Sequence, residues 1–167
     1  DTVAGANAEF TGLSVDQLMA MEARLRAVRD GAGGVSFPAE LRARAANDRL
    51  VRAVMADEAR GFQLDRQARA DEMRQLQARI AQTQATIGAS ESRLAAYDRQ
   101  ESLIAEELTQ TRELYESRLS TLDRLNALER AAAGVTADRA AAAARITEAS
   151  AQISELRTQM AALMSEH

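Results

Sequence analysis

The chain has no cysteine, lysine or tryptophan, and it is poor in proline and aromatic residues. Its 167 residues include one proline, Pro38, and only 3% aromatic residues. The absence of cysteine excludes disulfides, thiol catalysis and thiolate metal sites. So few aromatic residues argue against a compact globule with a thick core. The heavy use of Ala, Glu, Gln, Leu and Arg is instead typical of long helices and coiled coils.

Residues that could carry chemistry are equally scarce. The single histidine is His167, and one terminal imidazole forms neither a catalytic triad nor a metal site. The neighbouring carboxylates Glu106 and Glu107 would point about 100° apart on a helix, so they would not share a proton or a metal. No glycine-rich phosphate loop, calcium loop or nucleophile elbow occurs. We therefore predict no enzymatic activity, no cofactor and no metal ion.

Charge and hydropathy also narrow the possible partners. All 21 basic residues are arginine, the net charge is −4, and the two signs are interleaved along the chain. This pattern offers no basic face for nucleic acid. No run approaches the ~18 apolar residues of a membrane span, so we predict no membrane anchor in this segment. Because helical pattern reaches both ends, we expect the segment to belong to a larger protein.

A heptad pattern in the last third of the chain is its strongest structural signal. Apolar residues recur at alternating spacings of three and four, which predicts a coiled-coil helix over about 121–165. Only Arg139 interrupts the pattern with a polar residue. The positions of this seam are Leu125, Leu128, Ala132, Val135, Arg139, Ala142, Ile146, Ala149, Ile153, Leu156, Met160 and Leu163.

A second seam precedes it, within a long helix predicted over about 48–118. It has the same spacing but more polar members, and it comprises Leu76, Ile80, Thr83, Ile87, Ser90, Leu94, Tyr97, Glu101, Ile104, Leu108, Thr111 and Tyr115. Polar residues at such positions reduce stability but fix the register. They also permit a looser seam, against which neighbouring hairpins could pack side by side. Both interpretations stay open for Thr83, Ser90, Glu101 and Arg139.

The first tract is predicted to be a helix over about 3–30 with two apolar stripes in different phases. The first stripe contains Val3, Ala6, Phe10 and Leu13, and the second contains Leu18, Met21, Leu25 and Val28. Gly12 and a capping-box pattern from Ser14 to Gln17 mark a possible break. A four-residue phase insertion explains the shift without a break, and we favour this explanation.

Two further segments separate the helices. Three glycines within 31–34 end the first helix, and 31–37 is predicted as a linker. Pro38 then suits the first position of a short helix over 38–45. Asn47 and Asp48 are candidates to cap the next helix. A reversal at 116–121 separates the last two helices, with hydroxyl groups at Ser120 and Thr121 and an acid at Asp123 to favour the new helix start.

The predicted helix lengths favour an elongated all-α hairpin over a three-helix bundle. At 1.5 Å per residue, the three tracts measure about 40, 105 and 65 Å, so the outer two together match the middle one. We expect the last helix to pair antiparallel with the distal half of the long helix. We expect the first to pair antiparallel with its proximal half, so that 1–167 forms a single elongated hairpin domain.

The reversal is also the best candidate for a binding site. Short loops at the end of a rigid support present side chains to partners. Alternatively, Leu119 and Leu122 simply close the hairpin. The candidate residues of this tip are Leu114, Ser117, Arg118, Leu119, Ser120, Thr121 and Arg124.

Several segments resemble one family when taken in order. They are Glu22–Leu25 (Glu-Ala-Arg-Leu) with Ala27, Phe37-Pro38 with Leu41, Leu103–Leu108, Leu114–Arg130, Gly134 and the Ala-rich helix around Ile146. Together they resemble the helical hairpin of the periplasmic adaptors, or membrane fusion proteins, of type I secretion, in the branch that exports proteases and lipases.

The resemblance implies a structural function. Such adaptors are anchored in the inner membrane of Gram-negative bacteria and lie in the periplasm. They join an ABC transporter to an outer-membrane channel-tunnel as a hexameric sheath. The tip would dock on the channel through an Arg-x3-Leu-x6-Ser/Thr pattern, of which Leu114 and Thr121 are present. Gln110 replaces the arginine, and Arg118 stands where relatives commonly have glycine, so we expect a turn without a left-handed residue.

A second interpretation is a cytosolic coiled-coil scaffold or tether that binds partners along its side. Flanking lipoyl-like strands and an N-terminal membrane helix in the complete protein would favour the adaptor over the scaffold.

Overall fold

The computed structural model describes residues 2–165, with side chains at 3–4 and 15–165. These residues form an all-α fold without strands, as the heptad pattern predicts. The helices are α1 (Thr2–Arg29), α2 (Ala39–Ala45), α3 (Arg49–Glu116) and α4 (Leu122–Ser165). The helix α1 continues through Gly12 and Ser14, so the prediction of an unbroken helix is confirmed.

The chain divides into two compact units that share the continuous helices α3 and α4. Of the described residues, the first unit contains 2–75 and 161–165, and the second contains 76–160. Whether the segment behaves as a single domain, as the helix lengths suggest, stays a prediction.

In the second unit, α3 and α4 pack together along the two predicted seams. Of the seam residues within it, Leu76, Ser90, Thr111, Ala142, Ala149, Ile153 and Leu156 are buried, and most others are half-buried. The exceptions are Arg139 and Tyr115, which are exposed. The seam positions are thus nearly all confirmed. A spacing of 3.5 residues buries one narrow face, whatever the size of the side chains on it.

The polar seam residues differ in how they are accommodated. Ser90 and Thr111 are buried, whereas Glu101 and Thr83 are half-buried. Arg139 on α4 lies 3.5 Å from Glu101 on α3, so two polar seam positions meet across the hairpin. This cross-helix pair favours register control over a loosened seam at these two positions.

In the first unit, α1 runs parallel to α3, and the antiparallel prediction is wrong. Successive residues of α1 and of the segment after it contact successively later residues of α3. Ala20 shares a buried cluster with Val51, Arg24 bonds Glu58, and Gly33 bonds Arg66. The physical reason is the connection over 30–48, which carries the chain back before α3 begins.

Hydrogen bonds fix the conformation of the connection after α1. The N–H of Ala32 donates to Ala27 O (2.9 Å) and that of Gly31 to Val28 O (3.1 Å), with Gly31 left-handed at φ 62°. This is a Schellman motif, in which glycine avoids the Cβ clash of the left-handed conformation. Gly33 O then accepts hydrogen bonds from Arg66 (2.9 Å) and Gln63 (3.1 Å).

The helix α2 links α1 to the start of α3. Pro38, predicted as the first helical residue, is instead the N-cap, and α2 begins one position later at Ala39. Leu41 is fully buried with Ala20, Ala45 and Val51. Asp48 accepts the N–H of Leu50 at 2.9 Å, which confirms the predicted cap of α3.

The packing face of α1 consists of small residues. Ala20, Ala23 and Ala27 are buried, whereas Leu18 and Leu25 of the second predicted stripe are exposed. Alanine lets the helix backbones approach closely, which leaves no room for leucine on that face. Of the first predicted stripe, Val3 is exposed, and the side chains of Ala6, Phe10 and Leu13 lie outside the described residues.

A buried acid anchors α2 against α1. Asp16 is only 5% exposed, and its carboxylate lies 2.7 Å from the Arg44 guanidinium. This is an ion pair by distance without an aligned hydrogen bond. Arg44 also donates to the sulfur of Met19 at 3.4 Å. These contacts explain how a helix of seven residues keeps a defined position.

Candidate functional site at the hairpin turn

The reversal between α3 and α4 is built from two helix caps in direct succession. The N–H of Leu119 donates to Leu114 O (2.7 Å), and that of Arg118 donates to Tyr115 O (3.0 Å). These bonds form a Schellman motif at the end of α3. Thr121 then caps α4, because its Oγ1 accepts the N–H of Arg124 at 3.3 Å. The predicted hydroxyl cap is confirmed.

Arg118 adopts a left-handed conformation, with φ 60°, and the prediction of a turn without one is wrong. The Schellman motif requires this conformation at the residue after the helix, and glycine normally supplies it. A non-glycine residue there costs about 1 kcal/mol or more, because its Cβ crowds the backbone. Among the described residues, Arg118 is the only one other than glycine with a positive φ. The strain identifies Arg118 as a candidate functional residue.

The leucines of the tip are not used to close the hairpin. Leu119 is 76% exposed and Leu122 is 51% exposed, and Leu114 is also exposed. Closure would bury them between the helices. The exposures therefore favour the interpretation that the tip presents apolar side chains outwards.

The arginines around the tip divide into two groups. Arg124 lies 3.6 Å from Glu107, and Arg112 bonds Glu129 at 3.2 Å, so both connect α3 and α4. Within the described part of the chain, no carboxylate lies within 4.0 Å of the Arg118 guanidinium. Arg124 thus acts partly in hairpin pairing, whereas the charge of Arg118 is available at the turn.

The structure brings all seven predicted tip residues to one turn. Ser117, Arg118, Leu119 and Thr121 are exposed, and Ser120 is half-buried. They offer apolar groups, hydroxyl groups and one unpaired cation. Such a mixture suits a protein surface better than a small molecule. Among the residues whose side chains the structure describes, no three acidic or histidine side chains lie close enough to hold a metal ion.

A groove in the first unit was not predicted from the sequence. It has a volume of about 440 Å³ and lies where the ends of α1 and α4 meet α3. Its apolar walls include Leu25, Val28, Phe62, Met73 and Leu163. The signal was present in the apolar spacing of Leu25 and Val28, but it does not distinguish a groove from a packed face.

The comparisons with known proteins agree with this geometry. A family model described as "AprE, long alpha-helical hairpin" matches residues 4–167. A solved structure, the soluble domain of LipC, a membrane fusion protein of a type I secretion system, has the same fold. The TM-score is 0.85 at 20% identity, over 98% of this chain and 76% of that chain. No curated protein sequence matches the chain. Within the described residues, no helix is both long and apolar enough to cross a membrane.

Proposed function

Because the chain belongs to the AprE long α-helical hairpin family, we propose that it is the helical hairpin of a type I secretion membrane fusion protein. The proposed adaptor bridges an inner-membrane ABC transporter and an outer-membrane channel for one-step protein export. It lies in the periplasm, is anchored to the inner membrane by another part of the protein, and assembles as a hexamer. The fold shared with LipC supports this assignment.

The tip is the proposed contact with the channel. The observation that supports this contact is the exposure of Leu119 and Leu122 beside Arg118, which is strained and unpaired. An apolar patch with one cation can dock into a pocket on a partner, where burial of the leucines supplies affinity. The arginine would then select a carboxylate or a ring of carbonyl groups on the channel.

The test is secretion by tip variants that keep the hairpin folded. Leu114→Asp and Thr121→Asp are each expected to abolish secretion and to leave helix content and melting temperature nearly unchanged. Aspartate is as good an N-cap as threonine, so the second variant retains the cap of α4. Leu103→Asp is the matched control, because Leu103 is a 65% exposed leucine of the same helix. Normal secretion by both tip variants would refute the docking proposal.

A direct measurement uses the same surface. A photo-reactive amino acid in place of Arg118 is expected to crosslink an outer-membrane channel in secreting cells. The same amino acid in place of Leu103 serves as the control and should not capture the channel. Capture from Leu103 but not from Arg118 would place the docking surface on the side of the hairpin, as in a scaffold protein.

A further inference from the structure

The groove of the first unit is a small cavity with apolar walls and arginines among its lining residues. Its volume of about 440 Å³ lies within the range of roughly 300–1,000 Å³ that is typical of small-molecule sites. A single turn of α-helix, about 10 Å wide and about 5.4 Å long, would already fill this volume. The groove therefore suits a small molecule better than a partner helix.

The walls of the groove are mainly aliphatic. Val28, Met73 and Leu163 line it and are half-buried, so their side chains pack on one side and face the groove on the other. Phe62, which is buried, is the one aromatic residue among the described residues of the lining. Flexible aliphatic and thioether side chains adapt to irregular apolar shapes. Such walls favour an alkyl chain over a flat aromatic ring.

Arg66 places a positive charge beside these walls. Its Nη1 donates to Gly33 O at 2.9 Å, and Gln63 donates to the same oxygen at 3.1 Å. This hydrogen bond holds the guanidinium at the groove, but a carbonyl group does not neutralise its charge. Within the part of the chain that the structure describes, no carboxylate lies within 4.0 Å of Arg66. A guanidinium has five N–H groups, so Arg66 has further donors for an anion.

The other charged residues of the lining limit the charge that a ligand can carry. Arg24 bonds Glu58 at 2.6 Å and lies 3.8 Å from Asp65, so its charge is balanced within the protein. Asp65 also lines the groove, and its carboxylate would repel a doubly charged headgroup more than a singly charged one. A carboxylate carries a single charge and matches the planar fork of one arginine.

We propose that this groove binds a fatty acid, with the alkyl chain against Val28, Met73 and Leu163 and the carboxylate on Arg66. Charge complementarity selects this ligand, because apolar walls without a cation would accept a neutral alkyl chain equally well. The groove belongs to the first unit, whereas the tip of the hairpin belongs to the second. Fatty-acid binding is therefore independent of the proposed docking of the tip.

The test is a titration of the 167-residue chain with cis-parinaric acid, a fatty acid whose fluorescence rises in an apolar site. The chain has no tryptophan, so its own emission interferes little. The probe is expected to bind in a ratio of one per chain, and dodecanoate below its micellar concentration is expected to displace it. Dodecanol and dodecyl phosphate, which carry a neutral and a more highly charged headgroup, should displace the probe only at higher concentrations.

Two variants test the role of Arg66. Arg66→Gln is expected to weaken dodecanoate binding about fivefold, which is the upper end for an exposed charge pair, and to leave dodecanol unchanged. Ala70→Glu places a carboxylate one turn after Arg66, where the two can pair, and should weaken dodecanoate binding at least as much. Ala68→Glu is the matched control, because Ala68 is also exposed on α3 but does not line the groove. Circular dichroism should show equal helix content in all three variants.

Four outcomes would overturn the proposal. The first is the absence of saturable probe binding by the unmodified chain. Equal displacement by dodecanol and dodecanoate would show that the apolar walls bind without a contribution from the cation. Tighter binding of dodecyl phosphate would assign a phosphate headgroup in place of the carboxylate. Equal dodecanoate binding by Ala70→Glu and Ala68→Glu would place the ligand outside the groove.

Discussion

Arg139 on α4 donates a hydrogen bond from Nε to the Asp98 carboxylate on α3, at a seam position where leucine would be buried. The hydrogen bond to Asp98 and its negative charge raise the pKa of Arg139 above its ordinary value. The guanidinium of Arg139 lies outside the seam. The hairpin therefore has an ion pair at this position, whereas the other seam positions of α4 have apolar contacts.

Replacing Arg139 by leucine is therefore expected to raise the melting temperature and to weaken its dependence on salt. Leucine would bury apolar area in the seam, whereas an exposed ion pair is screened by ions. Thermal unfolding followed by circular dichroism at low and high salt measures both effects. Arg130→Leu, an exposed position outside the seam, should change little. A lower melting temperature for Arg139→Leu would show that the ion pair contributes more than apolar burial.

Arg118→Gly is expected to stabilise the hairpin by about 1 kcal/mol, because glycine adopts the left-handed conformation without a Cβ clash. Urea denaturation measures the change. Ser117→Gly, one residue earlier, should not stabilise the hairpin. If Arg118→Gly is stabilised but no longer supports secretion, the strained arginine serves binding. Destabilisation by Arg118→Gly would instead mean that the arginine side chain supports the turn.

Because α1 packs through its alanines, substitutions on its two faces are expected to differ in their effect on stability. Ala20→Leu should destabilise the chain by about 1–3 kcal/mol, since Ala20 is fully buried against Leu41 and Val51. Leu18→Ala should change stability by less than about 0.5 kcal/mol, because the side chain is exposed. Denaturant titration of both variants distinguishes the faces. If Leu18→Ala destabilised the chain more than Ala20→Leu, the packing face of α1 would be the stripe that contains Leu18.

Seam register predicts a short distance between Ile87 and Ile153. Counting two heptads from Glu101 and Arg139, which are 3.5 Å apart, places these isoleucines at the same height. The distance between spin labels at the two positions should therefore be that between two adjacent helices, whose axes lie about 10 Å apart. Labels at Ile87 and Val135 should be separated by roughly 27 Å more along the axis. Equal distances for the two pairs would contradict the hairpin.

Much of the hairpin could be predicted because its signals are local. The seams, the cap at Asp48, the Schellman glycine at Gly31 and the cap at Thr121 depend on residues within a few positions of each other. The tip residues followed from the position of the turn between two seams. For the tip, the sequence could not distinguish closure from presentation, because an apolar side chain near a turn is compatible with both.

The amino-acid sequence by itself determined that long helices would pair along 3.5-residue stripes, since helix periodicity selects the buried face in any coiled coil. Only the tertiary structure decided the direction and packing face of α1. Both depend on how the segment between α1 and α3 returns and on how closely two backbones approach. It also decided the conformation of Arg118, because closing the turn forces a left-handed residue at that position even where no glycine is present.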